Sequence, residues 1–201
     1  AMGVSVLFVG VSGALSQMLR AEGGALTVQG TMMMILSLAV GAVLGELLDL
    51  EDRMERFGAW LKVKTKSESD GGFIGAFVTA SLTVCIGAMA IVGSIQDGIL
   101  GDHATLFAKA VLDLVIIMVM TASMGKGCIF SAIPVALLQG GVTLLSRVLA
   151  PVFTEAAIAN LSYTGSVMIF CVGLNLVWGK KIKVANLLPT LVFAVLYALV
   201  F

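Results

Sequence analysis

Charged residues are scarce in this chain of 201 residues. Asp, Glu, Lys and Arg together make up 12% of it, about half of the roughly 25% that is typical of soluble domains. Hydrophobic residues make up 59%, and the mean hydropathy is +1.08. So few charges cannot cover an ordinary soluble domain with polar groups. The composition therefore predicts a protein that crosses a membrane several times.

Residues that carry most enzyme chemistry are also scarce. His103 is the single histidine, and Cys85, Cys128 and Cys171 lie apart in apolar runs without a CxxC pair. The sequence contains no HExxH or GxSxG motif. Its 12 basic and 12 acidic residues balance, whereas nucleic-acid-binding proteins carry a basic patch. We therefore expect no enzymatic activity, no cofactor and no nucleic-acid partner. The sequence leaves open whether the protein binds a metal ion.

Long apolar runs are what the chain has in abundance. Each covers about 18–24 residues, which suits a membrane-crossing α-helix, whereas a membrane β-strand would show about 10 residues of alternating polarity. Because a spanning segment must satisfy its own backbone groups, the sequence predicts an all-α, polytopic transmembrane helical bundle. The first run begins almost at the start of the chain, so we expect one more span upstream. About seven spans fit the sequence: Met2–Leu19, Thr31–Leu48, Phe73–Ile95, Ala104–Met124, Cys128–Leu149, Ser162–Trp178 and Val184–Phe201.

The longest polar interruption follows the second span. Leu50–Leu61 (LEDRMERFGAWL) repeats apolar residues at helical spacing with charges around the rest of the helix. This pattern indicates a helix lying on the membrane surface, or else a solvated cap on the preceding span. Lys62–Gly71 (KVKTKSESDG) is a polar linker. We expect both segments to belong to a single integral membrane domain that covers residues 1–201.

Basic residues fall mostly on one side of the predicted bundle. The loops after the second, fourth and sixth spans hold nine of them, against only Arg20 and Arg147 on the other side. Because basic residues concentrate in cytoplasmic loops, we expect these three loops and the polar linker in the cytoplasm. The C-terminus would then lie outside.

A weak internal repeat links three of the spans. Phe8–Ala14, Cys85–Ile91 and Cys171–Val177 share a pattern of apolar residues around a glycine. On the predicted topology, the second and third spans would form a unit inverted relative to the fifth and sixth, as in many secondary transporters. Equivalent close helix contacts at Gly87 and Gly173 would follow. Chance similarity among glycine-rich apolar helices is the alternative.

Ionisable residues inside spans are functional candidates because they are costly in hydrocarbon. Lys109 and Asp113 lie one helical turn apart on the fourth span. A rise of 1.5 Å per residue places Asp113 about 13 Å along a core of about 30 Å, whereas the shallower Lys109 would extend its ammonium outward. The two form either a structural ion pair or a site for a proton, a cation or a substrate. In the second case Asp113 would be the functional carboxylate, facing the third span.

Further polar residues complete the set of candidate ion- or substrate-binding residues. Hydroxyl oxygens suit a hard cation, although helical Ser and Thr commonly bond their own preceding carbonyls. Pro134 and Pro189 remove helix hydrogen bonds and would free the carbonyls of Phe130 and Ala185 as acceptors. The additional side chains, three on the third span and one on the sixth, are Thr79, Ser81, Thr83 and Asn175.

Five segments resemble a known family. They read GAFVTASLTVCIGAMAIVGSIQDGI, LFAKAVLD, FSAIPVALLQGGVTLL, VGLNL and KIKVANLLP. Together they resemble the bacterial membrane proteins of domain of unknown function 554, the YdfK/YqgA-like family, over essentially the whole chain. The resemblance implies a multi-pass protein of the bacterial inner membrane with a further N-terminal apolar helix. It also implies transport as the suggested activity, without a substrate or functional residues.

The sequence favours a secondary transporter of an ion or a small polar solute, because paired charges, proline-interrupted helices and a repeat occur together. One alternative is a channel, although no span shows a continuous polar stripe. Another is a structural or interaction membrane protein, in which the polar groups only tie helices together. The expected partners are the lipid bilayer, the transported ion or solute, and further copies of the chain in a homo-oligomer.

Overall fold

Helices make up most of the computed structural model, which describes residues 2–22, 25–67, 71–86 and 88–200. An all-α bundle of apolar helices is thereby confirmed, with one short hairpin added. The elements in chain order are α1 (Met2–Met18), β1 (Leu19–Glu22), β2 (Ala25–Val28), α2 (Thr31–Leu48), α3 (Leu50–Lys64), α4 (Phe73–Cys85), α5 (Ala88–Leu100), α6 (Ala104–Met124), a first 3₁₀ turn (Lys126–Ser131), α7 (Ala132–Leu144), α8 (Ser146–Leu149), α9 (Glu155–Trp178), a second 3₁₀ turn (Val184–Leu187) and α10 (Pro189–Val200).

Fewer helices than the predicted seven are long enough to cross a membrane. Among the described residues, four meet the length and apolarity needed, namely α2, α6, α9 and the continuous segment Lys126–Leu144. A fifth span is formed if α4 and α5, which are bent by 60° to each other, count as one. The expected span Phe73–Ile95 is therefore broken rather than continuous. The remaining two apolar segments, Gly3–Met18 and Val184–Val200, are shorter.

A β-hairpin joins α1 to α2, where the sequence predicted only a loop. Strands β1 and β2 pair antiparallel, with Leu19 opposite Val28 and Arg20 opposite Thr27. Gly30 then caps the N-terminus of α2 with a φ of 73°, a left-handed conformation that glycine adopts without steric cost. The hairpin thus redirects the chain between two apolar helices with its backbone groups paired.

The chain folds as two compact units, of which the first consists of Ala1–Asp49 and Ala150–Phe201. Here α1 packs along α9, and α2 packs along α10. A Cβ at Gly10 would lie 2.5 Å from the backbone nitrogen of Phe170, and one at Gly173 would lie 2.7 Å from that of Leu7. Glycine therefore permits the close approach of α1 and α9.

The second unit, Leu50–Leu149, contains α3 to α8. The amphipathic helix α3 continues past its expected end at Leu61 to Lys64, so the polar linker is shorter than predicted. Its Gly58 packs on α4, where an added Cβ would lie 2.9 Å from the ring of Phe77. On α3 itself, Phe57 and Trp60 stack with ring centroids 5.8 Å apart. Residues 68–70 of the linker lie outside the described residues.

Both prolines predicted to interrupt spans instead stand at helix starts. Pro189 is the first residue of α10 and Pro134 is the third of α7, each after a 3₁₀ turn. The first helical turn tolerates proline because its N–H groups have no intrahelical partner. The carbonyl of Ala185 accepts a hydrogen bond from Leu188 N–H at 3.1 Å, and that of Phe130 accepts from Ala132 N–H. The prediction that these two carbonyls are exposed acceptors is therefore wrong.

The predicted inverted repeat stays a prediction. It pairs α2 with α4 and α7 with α9, and each pair joins helices of different units. The close contact expected at Gly173 is present against Leu7. Gly87 lies outside the described residues.

Candidate functional site

The break between α4 and α5 lies beside the main candidate residues. Helix α4 ends at Cys85, and Ile86 follows in an extended conformation with φ −82° and ψ 108°. The N–H of Ile86 still donates to the carbonyl of Leu82 at 3.1 Å. The last carbonyls of an interrupted helix have no helical donors and carry its partial negative charge. The break therefore creates an acceptor inside an apolar segment.

Lys109 on α6 supplies the donor for this acceptor. Its ammonium nitrogen, Nζ, donates to the carbonyl oxygen of Val84 at 3.0 Å, and it forms an ion pair with Oδ2 of Asp113 one turn further along α6. A cation at a helix C-terminus interacts favourably with the helix dipole. One charge thus holds two helices, α4 and α6, at a helix break.

Lys109 is the more deeply buried member of the pair. Its side chain is 8% exposed, against 21% for Asp113. The prediction that Lys109 extends outward is therefore wrong. Burying the ammonium removes it from water, a cost that outward extension would avoid. Its two oxygen partners in the interior offset this cost. Asp113 is half-buried, and its partner is Lys109 rather than a hydroxyl of α4.

The three predicted hydroxyl residues of α4 do not form one ligand set. Successive residues of an α-helix are about 100° apart, so Ser81 lies on a different face from Thr79 and Thr83. Thr83 Oγ1 donates to the carbonyl of Thr79 at 2.8 Å, the local bond typical of helical threonine. Ser81 is 1% exposed, and its hydroxyl has no hydrogen-bond partner among the described residues. Of these three hydroxyls, only that of Ser81 is both fully buried and without a hydrogen-bond partner among the described residues.

Asn175 belongs to the other unit and closes a loop there. Its Nδ2 donates to the carbonyl of Ile182 at 2.7 Å. Its Oδ1 accepts from the backbone N–H of Lys181 at 2.9 Å and from that of Ile182 at 3.0 Å. The amide holds the turn between α9 and the second 3₁₀ turn. The partners of Asn175 are thus local to the first unit, whereas Lys109 belongs to the second unit.

A second polar cluster, in the first unit, was not singled out from the sequence. Glu46 on α2 receives Lys183 Nζ at Oε1 and Asn186 Nδ2 at Oε2, both at 2.5 Å. Asn186 is 2% exposed, whereas the side chains of Glu46 and Lys183 are 59% and 52% exposed. An Asn in an apolar run, three residues before Pro189, was the available sequence signal, but its partner is 140 residues away in sequence.

The described residues contain no group of three or more His, Cys, Asp or Glu side chains that could hold a metal ion. The three cysteines are separate thiols. Cys128 donates from Sγ to the carbonyl of Ala76 at 3.6 Å, which places it in the contact between the first 3₁₀ turn and α4. Cysteine thus has a packing role there.

Two proteins of known sequence but uncharacterised function are similar to this chain. One is described as uncharacterised membrane protein YdfK of Bacillus subtilis (strain 168), 31% identical over 157 residues, or 78% of this chain and 66% of the relative. The other is uncharacterised protein YqgA of Escherichia coli (strain K12), 27% identical over 165 residues, or 80% of this chain and 70% of the relative. The match thus spans about two thirds of either relative's length.

No solved structure is significantly similar to the chain. A family model described as protein of unknown function (DUF554) matches residues 1–199. The description of one relative as a membrane protein agrees with the apolar helices described above. The chain therefore belongs to the DUF554 family and is a membrane protein.

Proposed function

We propose that this protein is a multi-pass protein of the bacterial inner membrane that transports an ion or a small polar solute by a secondary mechanism. The apolar helices and the similarity to bacterial relatives support the location. The proposal includes no enzymatic step and no cofactor. Transport itself is supported by the geometry around Lys109.

The observation that carries the proposal is the insertion of Lys109 at the break between α4 and α5. Secondary transporters build their sites from interrupted membrane helices, whose free backbone groups face a polar ligand. Here the carbonyl of Val84 plays that part, with Lys109 and Asp113 beside it. Ionisable side chains at such a position are functional candidates by default.

The arrangement also supplies two states. With Lys109 bound to both oxygens, the charges of the pair cancel inside an apolar environment. If the ammonium leaves, the Asp113 carboxylate and the Val84 carbonyl need another partner, because buried polar groups without one are costly. A transported ion or solute can provide it, so occupancy would be linked to the position of Lys109.

A purely structural role is the second candidate, and one observation favours it. The ammonium of Lys109 already has two oxygen partners, as a tie between α4 and α6 would have. A structural pair would contribute to stability without changing partner during a cycle. The two roles differ in what the loss of the Asp113 charge does to transport in a protein that remains folded.

Currents from reconstituted protein test the proposal. The full natural protein in proteoliposomes would be adsorbed to a solid-supported membrane and exposed to jumps of Na⁺, K⁺, H⁺, amino acids and carboxylates. We expect a transient current for at least one of these probes and its loss in Asp113→Asn. Asp102→Asn is the matched control, since this exposed residue accepts a bond from Ala104 N–H. Equal currents in wild type and Asp113→Asn would contradict the proposal.

A further inference from the structure

The ammonium of Lys109 fills a position that is lined by oxygen. One oxygen is the backbone carbonyl of Val84, at the negative end of α4, and the other is Oδ2 of Asp113. Small metal cations of hard character prefer the same two ligand types, carboxylate and backbone carbonyl. Lys109 therefore occupies a place that also suits a metal ion.

We propose that the oxygens of Val84 and Asp113 form a binding site for a monovalent metal cation of the Na⁺ class, for which the Lys109 ammonium competes. The inference rests on the proposed function in one respect, since the cation would be the ion that drives transport. Binding itself can be measured without transport.

Charge selects a monovalent ion. The site holds one carboxylate, and the ammonium of Lys109 balances it. Replacing the ammonium by one monovalent cation keeps the buried site neutral, whereas a divalent cation would leave one uncompensated positive charge in low dielectric. The described residues also offer no cluster of acidic side chains that would suit a divalent ion.

Removal of the Lys109 ammonium provides a direct test. In Lys109→Met the side chain stays unbranched and is one atom shorter, and it leaves both oxygens without a positive partner. The full protein would be unfolded thermally in N-methyl-D-glucamine chloride and, at equal ionic strength, in NaCl, LiCl, KCl or CaCl₂. We expect saturable stabilisation of Lys109→Met by Na⁺ or Li⁺ amounting to several degrees in Tm, because a ligand of the folded state raises Tm. Wild type should respond less, since Lys109 competes.

Two further variants complete the design. Lys109→Met combined with Asp113→Asn should lose the response, and Lys66→Met, at an exposed residue, should behave as wild type. The inference is overturned if Lys109→Met responds to Na⁺ and Li⁺ no more than the double variant does. A stronger response to Ca²⁺ than to Na⁺ would also contradict it.

Binding of radioactive ²²Na⁺ to the wild-type protein decides the question even if Lys109→Met fails to fold. Scintillation proximity should detect binding that unlabelled Na⁺ displaces and that Asp113→Asn weakens about tenfold or more, equivalent to 1.4 kcal/mol. Binding unaffected by Asp113→Asn would overturn the inference. Cation binding without transport currents would refute only the transporter, whereas currents that need Asp113 without cation binding would refute only the cation site.

Discussion

The side-chain amide of Asn186 donates a hydrogen bond to Oε2 of Glu46 at 2.5 Å, while the backbone carbonyl of Asn186 lies directly against Gly45. One residue of the second 3₁₀ turn thus makes a polar and a backbone contact with consecutive residues at the end of α2. The second contact exists only because Gly45 has no side chain. In the first unit, this junction fixes where α10 begins relative to α2.

We predict that Gly45→Ala destabilises the protein. An added Cβ would overlap the carbonyl of Asn186, and this backbone atom cannot rotate away as a flexible side chain can. Overpacking of this kind typically costs about 1–3 kcal/mol. Gly140→Ala is the control, because nothing lies within 4 Å of a Cβ there, and alanine favours a helix over glycine by about 0.8–1.0 kcal/mol. Thermal unfolding in detergent should show Tm lowered by the first change and kept or raised by the second.

At the same junction, Asn186→Ala should lower Tm more than Lys183→Ala. Asn186 is almost fully buried, so Asn186→Ala removes packing contacts and leaves the polar partners of the amide without their hydrogen bonds. Lys183 forms an ion pair with Glu46 between side chains that are more than half exposed, and water screens such pairs. Parallel melting curves of the two variants decide the order. The opposite order would mean that the ion pair, rather than the buried amide, holds the second 3₁₀ turn.

Part of this structure follows from sequence alone. The runs Thr31–Leu48 and Ala104–Met124 fold as helices with the predicted bounds, because polar or glycine-containing segments flank long apolar stretches. The inward position of Lys109 does not follow, because it depends on the carbonyl that the break after Cys85 leaves at Val84. Local sequence shows the lysine but not the acceptor on another helix.

The same limit applies to single polar residues. Asn175 lies within an apolar run, which made it a candidate for binding, yet its amide satisfies the backbone at residues 181–182. Thr79, Ser81 and Thr83 stand at every second position, so their side chains would share one face only in a β-strand. Once the segment is a helix, the period of 3.6 residues separates Ser81 from the other two.

Helix α3 is predicted to lie on the membrane surface with its aromatic residues in the headgroup region. Trp60 is 54% exposed, and the ammonium of Lys64 lies 5.1 Å from its ring centroid, a combination typical of interfacial helices. In a Trp178→Phe background, Trp60 is the only tryptophan. We expect its fluorescence to be quenched more by lipids brominated near the headgroup than by lipids brominated at the chain end. Quenching by aqueous acrylamide alone would contradict a surface position.

The topology prediction places Lys64 in the cytoplasm and the C-terminus outside, because basic residues favour cytoplasmic loops. Single cysteines at Lys64 and after Phe201 would be introduced into a variant whose three native cysteines are replaced by alanine. An impermeant maleimide added to intact cells should label only the C-terminal cysteine, and cell lysis should expose the other. Labelling of Lys64→Cys alone in intact cells would mean that the orientation is reversed.

The last prediction concerns the energetic coupling of Lys109 and Asp113. In the absence of small metal cations, Lys109→Met leaves a partly buried carboxylate without its ammonium, and Asp113→Asn leaves the ammonium with the carbonyl of Val84. Removing one member of a fully buried pair costs about 3–5 kcal/mol. Because Asp113 is 21% exposed, we expect the cost at this pair to be less than that. The double variant, which carries no buried charge, should be more stable than Lys109→Met.

A double-mutant cycle on the unfolding free energy measures this coupling, since neighbouring residues are expected to deviate from additivity. Lys109→Met combined with Asp102→Asn serves as the control, because Asp102 is exposed and pairs with Ala104 N–H instead of Lys109. That combination should be additive, whereas Lys109→Met with Asp113→Asn should be less destabilising than the sum of its parts. Additive effects in both combinations would show that the ion pair holds no interaction energy. The ammonium of Lys109 would then be kept in place by the carbonyl of Val84 at the end of α4.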